Sequence, residues 1–580
     1  MGSTEQSQFA KRYQFVTEEK SGGATYTPLM LADFVADKIV ESAHLQGKGT
    51  IRVLDPAIGD GVLLLSLLDR LRSQTEASIH VCGFDTNNSA LGEARRRLST
   101  AFPQANLHLE LGSFLEFVLE QGNVSPTPSL FAPKENERFD LIIANPPYVR
   151  TQIMGAGQAQ ALAADFGLSG RVDLYHAFLI GMSQVLRPGG TAGIIVSNRF
   201  MTTKGGAELR AAMRNRFSLR HIWDLGDTKL FTAAVLPAVI LAEGRNGLDT
   251  TSAAFSSIYE TADPATTEAP NPVAALAMAG PVALNDGRRF HVQHGTLDDS
   301  GAPDDVWRIA TDSGDNWLAS VTAHMWGNFR NIGKIRVGVK TCADKVFIRT
   351  DWNDMAEAER PELLRPVTTH HIAGRFRPTP HKKQRLILYP HEMVQGQRRS
   401  VDLGDYPKSK AYLEAHRAIL EGRTYVTDGG RCWYELWVPQ DPNSWAAPKL
   451  VFKDISERPS FWLDLNGSIV NGDCYWLICA RHDQTDFLWL AAAVANSTFA
   501  EAFYDHRFNN KLYSGRRRFI TQYVEQFPLP DPETPLARDI IAGAKAIYDA
   551  VGSSDLDVME AQLDRMVWQS FGFSAEKVGR

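Results

Sequence analysis

The chain has 580 residues, 44% of them apolar, with 61 basic and 67 acidic side chains and a formal net charge of −6. That length suffices for at least two cores, no apolar run approaches the roughly 18 residues of a membrane span, and the opening Met1-Gly2-Ser3-Thr4-Glu5-Gln6 lacks the apolar stretch of a secretory signal. Five cysteines (Cys82, Cys342, Cys432, Cys474, Cys479) form no Cys-x-x-Cys pair, which argues against a metal site and for a reduced, cytoplasmic setting.

Residues 51–61, Ile-Arg-Val-Leu-Asp-Pro-Ala-Ile-Gly-Asp-Gly, read as a short strand ending at Asp55, a turn with Gly59 and Gly61, and then an apolar helix over Val62–Leu71. Such a βα turn lets a ligand approach the backbone at the carboxyl edge of a parallel sheet. Dinucleotide binders add a third glycine and seat a pyrophosphate on the helix N-terminus. Here that glycine is missing, and Asp55 and Asp60 would repel a pyrophosphate. They suit a cationic ligand such as S-adenosylmethionine (SAM), which carries a sulfonium and an ammonium and no phosphate. A second strand, Ile79–Phe84, ends at Asp85, an acid placed to bind ribose hydroxyls. A helix over Asn88–Leu98 and a third strand, Leu107–Leu111, lead to Gly112-Ser113-Phe114.

The fourth strand, Phe139–Ala144, ends in Asn145-Pro146-Pro147-Tyr148. Two prolines hold this turn rigid, so the Asn145 amide oxygen and the Pro146 carbonyl become two acceptors fixed in direction. Tyr148 adds a flat apolar face. The set fits a planar group bearing an NH2. An amine conjugated to a ring is a poor nucleophile, and two hydrogen bonds that favour tetrahedral geometry localise its lone pair, stabilising the transition state more than the ground state. Helix Leu174–Leu186, turn Arg187–Gly190, strand Thr191–Ser197, helix Ala207–Arg216 and the apolar stretch Val235–Leu241 continue an α/β doubly wound pattern.

The combination resembles the gamma-class N6-adenine DNA methyltransferases of restriction–modification systems. Ala24-Thr25-Tyr26-Thr27-Pro28 looks like their Tyr-Thr-Pro segment, Asp55–Gly61 their SAM loop, Asn145–Tyr148 their catalytic motif, and Asp173-Leu174-Tyr175 the motif after it. The resemblance implies SAM contacts from Thr25, Tyr26, Thr27, Pro28, Asp55, Pro56, Ala57, Gly59, Gly61, Asp85, Ser113, Phe114 and Asn145. Many relatives carry an acid where Ser113 stands. Gly226–Leu241 looks like the last motif, in which Phe231 would stack on the second face of a flipped adenine.

The fold expected is a SAM-dependent, Rossmann-like methyltransferase domain over residues 1–245, a boundary over 246–304, and an α+β target-recognition domain over 305–580. The boundary is rich in Ala, Thr and Pro. Segments near 535–550 and 555–570 look like the family's closing helices. Two basic windows interleaved with aromatics are expected to contact phosphates. One holds Arg365, Arg375, Arg377, Lys382, Lys383, Arg385, Arg398 and Arg399 against the single acid Glu392. The other holds Arg507, Lys511, Arg516, Arg517 and Arg518 with no acid.

The ninety residues between Asp55 and Asn145 leave no room for a recognition domain between these motifs. Cytosine-C5 methylation needs a Pro-Cys nucleophile, and the five cysteines follow Val81, Thr341, Arg431, Asp473 and Ile478. The expected activity is SAM-dependent methylation of adenine N6 in double-stranded DNA by a monomer, with any cognate endonuclease on a separate chain and no membrane contact. RNA adenine, protein glutamine and a non-catalytic SAM-binding DNA-recognition subunit are the alternatives.

Overall fold

A computed structural model of the chain describes residues 27–122, 138–148, 156–169, 173–231, 236–247, 252–299, 305–380, 384–481, 484–508, 512, 516–550 and 555–573. The chain divides into two compact units, the first over 1–311 with a short segment at 512–515, the second over the remainder from Asp312.

In the first unit α1 (Leu29–Ser42) precedes an alternation of β1 (Thr50–Asp55), α2 (Val62–Leu71), β2 (Ser78–Asp85), α3 (Asn88–Ala101), β3 (Asn106–Leu111), α4 (Phe114–Gly122) and β4 (Phe139–Ala144). Then follow α5 (Ala156–Asp165), α6 (Leu174–Val185), β5 (Leu186–Ser197), α7 (Ala207–Arg216), β6 (Phe217–Asp224) and β7 (Pro237–Gly244). The strands line up in the order β3-β2-β1-β4-β5-β7-β6. Pairing is parallel from β3 to β5, and β7 is antiparallel to both its neighbours. The order reverses between β1 and β4, so the crevice for a ligand opens at their carboxyl ends.

Period-2 alternation builds a core on each face of this sheet. Ile51, Val53, Leu141, Ile143 and Ile195 pack with α1, α2 and α3 on one side. Leu54, Ile142, Ala144, Ile194 and Val196 pack with α4 and α6 on the other. Asn87 starts α3 by accepting from the Ser89 and Ala90 N–H groups at 2.9 and 3.2 Å.

Two expectations change. Arg187–Gly190 is not a free turn: it lies inside β5, opposite a register irregularity between Phe139 and Leu141 of β4. The stretch 246–304 is not a loose boundary. It supplies β8 (Ala254–Glu260), β9 (Thr267–Ala269), β10 (Gly280–Leu284) and β11 (Arg289–Asp298), which extend the sheet beyond β6. The Ala-, Thr- and Pro-rich segments fall partly in these strands and their connections, and Ser256 and Ser257 are buried inside β8, Ser256 between His221 and His294.

The second unit is α+β. One four-stranded sheet joins Ile335–Val337, Cys474–Leu477, Lys449–Lys453 and Phe461–Asp464. Trp352, Trp445, Trp462 and Trp476 fill its core. A ribbon of two strands, His391–Val394 and Gln397–Ser400, stands outside the larger sheets. The closing helices Pro535–Asp549 and Leu556–Ser570 lie where the sequence indicated and pack on each other.

Candidate active site

The crevice is built from the ends of β1, β2 and β4. Gly61 at the start of α2 has φ +84°, and a Cβ there would lie 3.1 Å from the Ala94 Cβ. Glycine therefore sets the approach of the turn to α3. The Gly59 N–H donates to Asp85 Oδ2 at 2.9 Å, and the Asn87 N–H donates to Asp85 Oδ1 at 2.7 Å. Asp85, expected at ribose, thus also ties the glycine turn to the end of β2. Asp60 pairs with Arg97 at 2.8 Å, so its charge is answered within the protein.

Asp55 is fully buried. Its Oδ1 accepts from the Ala57 N–H at 3.0 Å, and its Oδ2 finds no hydrogen-bond partner among the described residues. Burial, reinforced by Asp85 and Asp60, pushes its carboxyl up to about 8. A buried carboxylate with an orphaned oxygen fits a ligand that brings a positive charge.

At the end of β4 the Asn145 Nδ2 donates to Thr27 Oγ1 at 3.0 Å. The Tyr148 hydroxyl donates to Asn145 Oδ1 at 3.0 Å and reaches the Ile195 carbonyl at 3.3 Å. Thr27 and the Tyr148 hydroxyl together therefore set the orientation of the Asn145 amide. Burial holds the Tyr148 phenol above its ordinary range, so it remains a donor. The Tyr148 ring lies 6.0 Å from Tyr175, edge-on, and Tyr175 lies 4.4 Å from His176. Tyr175 thus packs beside Tyr148, with His176 behind it. The only sequence signal for them was the Asp173-Leu174-Tyr175 motif, and the Ile195 carbonyl gave none.

Pro28 begins α1, its carbonyl accepting from the Leu31 and Ala32 N–H groups. Thr25 and Tyr26 lie outside the described residues. Ser113 precedes α4 and is partly exposed. Phe114 is 1% exposed and sits 5.9 Å from Phe84 and 5.7 Å from Phe178, so its ring is core here. Phe231 is 6% exposed and belongs to the apolar cluster on the α1 face, whereas Tyr148 packs against the cluster on the other face.

The basic windows resolve unevenly. Arg517 makes a two-pronged pair with Asp505, both bonds 2.8 Å, and also meets Glu501 at 3.3 Å. Arg518 pairs with Asp454 at 2.9 and 3.1 Å. Their expected phosphate contacts are corrected accordingly: carboxylates outside the window already occupy both guanidinium forks. Arg375 pairs with Glu560 at 2.8 Å, and Arg377 lies on the Tyr548 ring and donates to its carbonyl at 3.2 Å. Arg507 lies over Phe508. Arg385 is partly exposed, and Arg398, Arg399 and Arg516 are exposed; Lys382, Lys383 and Lys511 lie outside the described residues.

The sheet order, the switch point between β1 and β4 and the glycine turn that follows a buried acid define the methyltransferase class of α/β fold. Residues 72–231 match the Eco57I restriction-modification methylase family. The chain is 37% identical over 576 residues to the Type II methyltransferase M.BanIII of Aneurinibacillus aneurinilyticus, covering 96% of this chain and 98% of that one. It is 27% identical to the Type II methyltransferase M.PaeR7I of Pseudomonas aeruginosa, covering 90% and 88%. This chain belongs to the Type II restriction–modification methyltransferases. Among solved structures, the Type IIL restriction-modification enzyme MmeI in complex with DNA shares the fold, with TM-score 0.57 and 14% identity over 94% of this chain and 74% of that one.

Proposed function

We propose that this protein transfers a methyl group from SAM to the N6 amine of an adenine in double-stranded DNA, as the modification enzyme of a restriction–modification system whose endonuclease is a separate chain. The observation that carries the reading is the Asn145-Pro146-Pro147-Tyr148 turn, set at the end of β4 beside the Asp55 and Asp85 strand ends. Asp55, Asp85 and the Gly59–Gly61 turn would hold SAM, which supplies the methyl group as an electrophilic sulfonium carbon.

Adenine N6 is paired and stacked in duplex DNA, so the base must leave the helix at a cost of a few kcal/mol. Tyr148 is assigned one of its faces; Phe231, buried in the cluster on the α1 face, would have to leave that cluster to take the other. The Asn145 oxygen, oriented by Thr27, and the Pro146 carbonyl accept the two N6 hydrogens, and Pro147 keeps the turn rigid. These bonds aim the N6 lone pair, and the proton leaves to solvent after transfer. No strong base is required. The second unit, from Asp312, is assigned to target recognition.

Incubation with methyl-labelled SAM and, separately, plasmid DNA, bulk RNA and cell protein tests the reading. Label in DNA supports it. Label confined to RNA or protein, or in none of the three, overturns it.

A further inference from the structure

The ribbon His391–Val394/Gln397–Ser400 is a two-stranded sheet of its own. Its base is anchored: the His391 Nε2 accepts from the Leu436 N–H at 3.0 Å, and the Tyr434 hydroxyl donates to the Val401 carbonyl at 2.8 Å. Next to it the Tyr389 hydroxyl donates to the Pro439 carbonyl at 2.7 Å. Its tip is a tight turn with Gln395 at φ 50° and Gly396 at φ 76°. Two consecutive left-handed residues make the turn whose twist matches a hairpin. A glutamine there, in place of Asn or Gly, carries backbone strain at an exposed polar position.

The register separates the two faces. Cross-strand partners are His391 with Ser400, Glu392 with Arg399, Met393 with Arg398, and Val394 with Gln397. His391 is buried, and Met393, Arg398 and Ser400 share its face, Arg398 itself remaining exposed. Arg398 accordingly donates to the Gln440 carbonyl at 3.2 Å. The opposite face presents Glu392, Val394, Gln397 and Arg399, and its three polar residues are exposed. Arg399 reaches the Gln397 side-chain oxygen at 3.4 Å, which holds the two side by side.

The major groove admits a two-stranded ribbon, and its edge code pairs Arg with guanine O6 and N7, Gln with adenine N6 and N7, and Glu with cytosine N4. The outward face carries one of each. We propose that this ribbon enters the major groove of the target DNA and that Arg399 and Gln397 read base edges, Arg399 a guanine, while Arg398 positions the ribbon. This rests on the DNA-methylation reading and adds to it the residues that choose the sequence. It also separates Arg399 from the phosphate-contacting role that a basic window alone implies.

The test uses the full chain as wild type, Arg399→Ala, Arg399→Lys and Gln397→Ala, acting on genomic DNA whose modified positions are then sequenced. Lysine keeps the charge but loses the planar fork. Discrimination at one base pair of the site should fall about 10- to 100-fold in Arg399→Ala and equally in Arg399→Lys, and Gln397→Ala should relax a different position. An unchanged set of sites in both alanine variants overturns the proposal. So does a uniform loss over all sequences that Arg399→Lys restores, since that is a phosphate contact. Wild type that modifies no DNA overturns the methylation reading and this inference together. Site-specific wild type with unaltered variants overturns the ribbon alone.

Discussion

Thr27→Val should slow methyl transfer without weakening the hold on SAM. Valine keeps the branched shape and removes the hydroxyl that accepts from Asn145 Nδ2 at 3.0 Å. With that acceptor gone, the amide loses one of the bonds that set its orientation, and its oxygen is held less firmly toward the amine. A neutral hydrogen bond contributes about 0.5–1.5 kcal/mol, which corresponds to roughly a 2- to 12-fold fall in kcat. The loss belongs in kcat because the amide orientation matters most as the N6 lone pair localises. Single-turnover rates at saturating SAM and DNA, with SAM Kd measured separately, provide the assay. Thr27→Ser should restore the rate. The double variant Thr27→Val/Asn145→Ala should be no slower than Asn145→Ala, since Thr27 acts through Asn145. Additive losses, or a raised SAM Kd with normal kcat, would refute this argument and make Thr27 a cofactor contact.

Asn145→Ala should cost about 3–4 kcal/mol of transition-state stabilisation, a hundredfold or more in rate, while calorimetry shows SAM and DNA binding retained. Burial holds Asp55 near 8, and a cationic ligand needs it ionised. SAM affinity should therefore weaken up to tenfold for each pH unit below about 8, with proton uptake on release. Asp55→Asn should lose that slope apart from the titration of the ligand's own ammonium, and a shared slope would contradict the assignment. Without ligand the sign reverses: the folded state holds the Asp55 proton that the unfolded state loses near 3.8, so this group's contribution to stability falls as pH rises from about 4 to 8. Arg517→Ala removes the two-pronged pair with Asp505 and the contact with Glu501. It should lower stability by about 2–3 kcal/mol in denaturant titrations and leave the salt dependence of DNA binding unchanged, whereas a shallower salt slope would return Arg517 to the phosphate backbone.

The catalytic half was legible where chemistry and strand ends coincide. Asp55, Asp85 and Asn145–Tyr148 each close an apolar strand, so period and turn residues placed them together. The Asn145–Thr27 bond was not legible, because it joins positions 118 residues apart and follows from where α1 lies against the sheet. The sheet extension was not legible because Ala, Thr and Pro clusters such as residues 261–270 look like loop composition, although Thr267–Ala269 pairs in the sheet. Arg517 and Arg518 were misjudged for a related reason. Charge windows count neighbours along the chain, and the carboxylates that answer these arginines approach across helices and strands. The ribbon shows the converse: Arg398 and Arg399 are adjacent, chemically identical and both exposed, yet strand alternation sets them on opposite faces, Arg398 on the face of the buried His391.

Product identity tests the central claim most directly. DNA treated with wild type and SAM would be digested to nucleosides and resolved by mass spectrometry beside an Asn145→Ala control. The account predicts N6-methyldeoxyadenosine from wild type and almost none from the variant. Methylcytosine in the wild-type digest, or methyladenine undiminished in the variant, would contradict it.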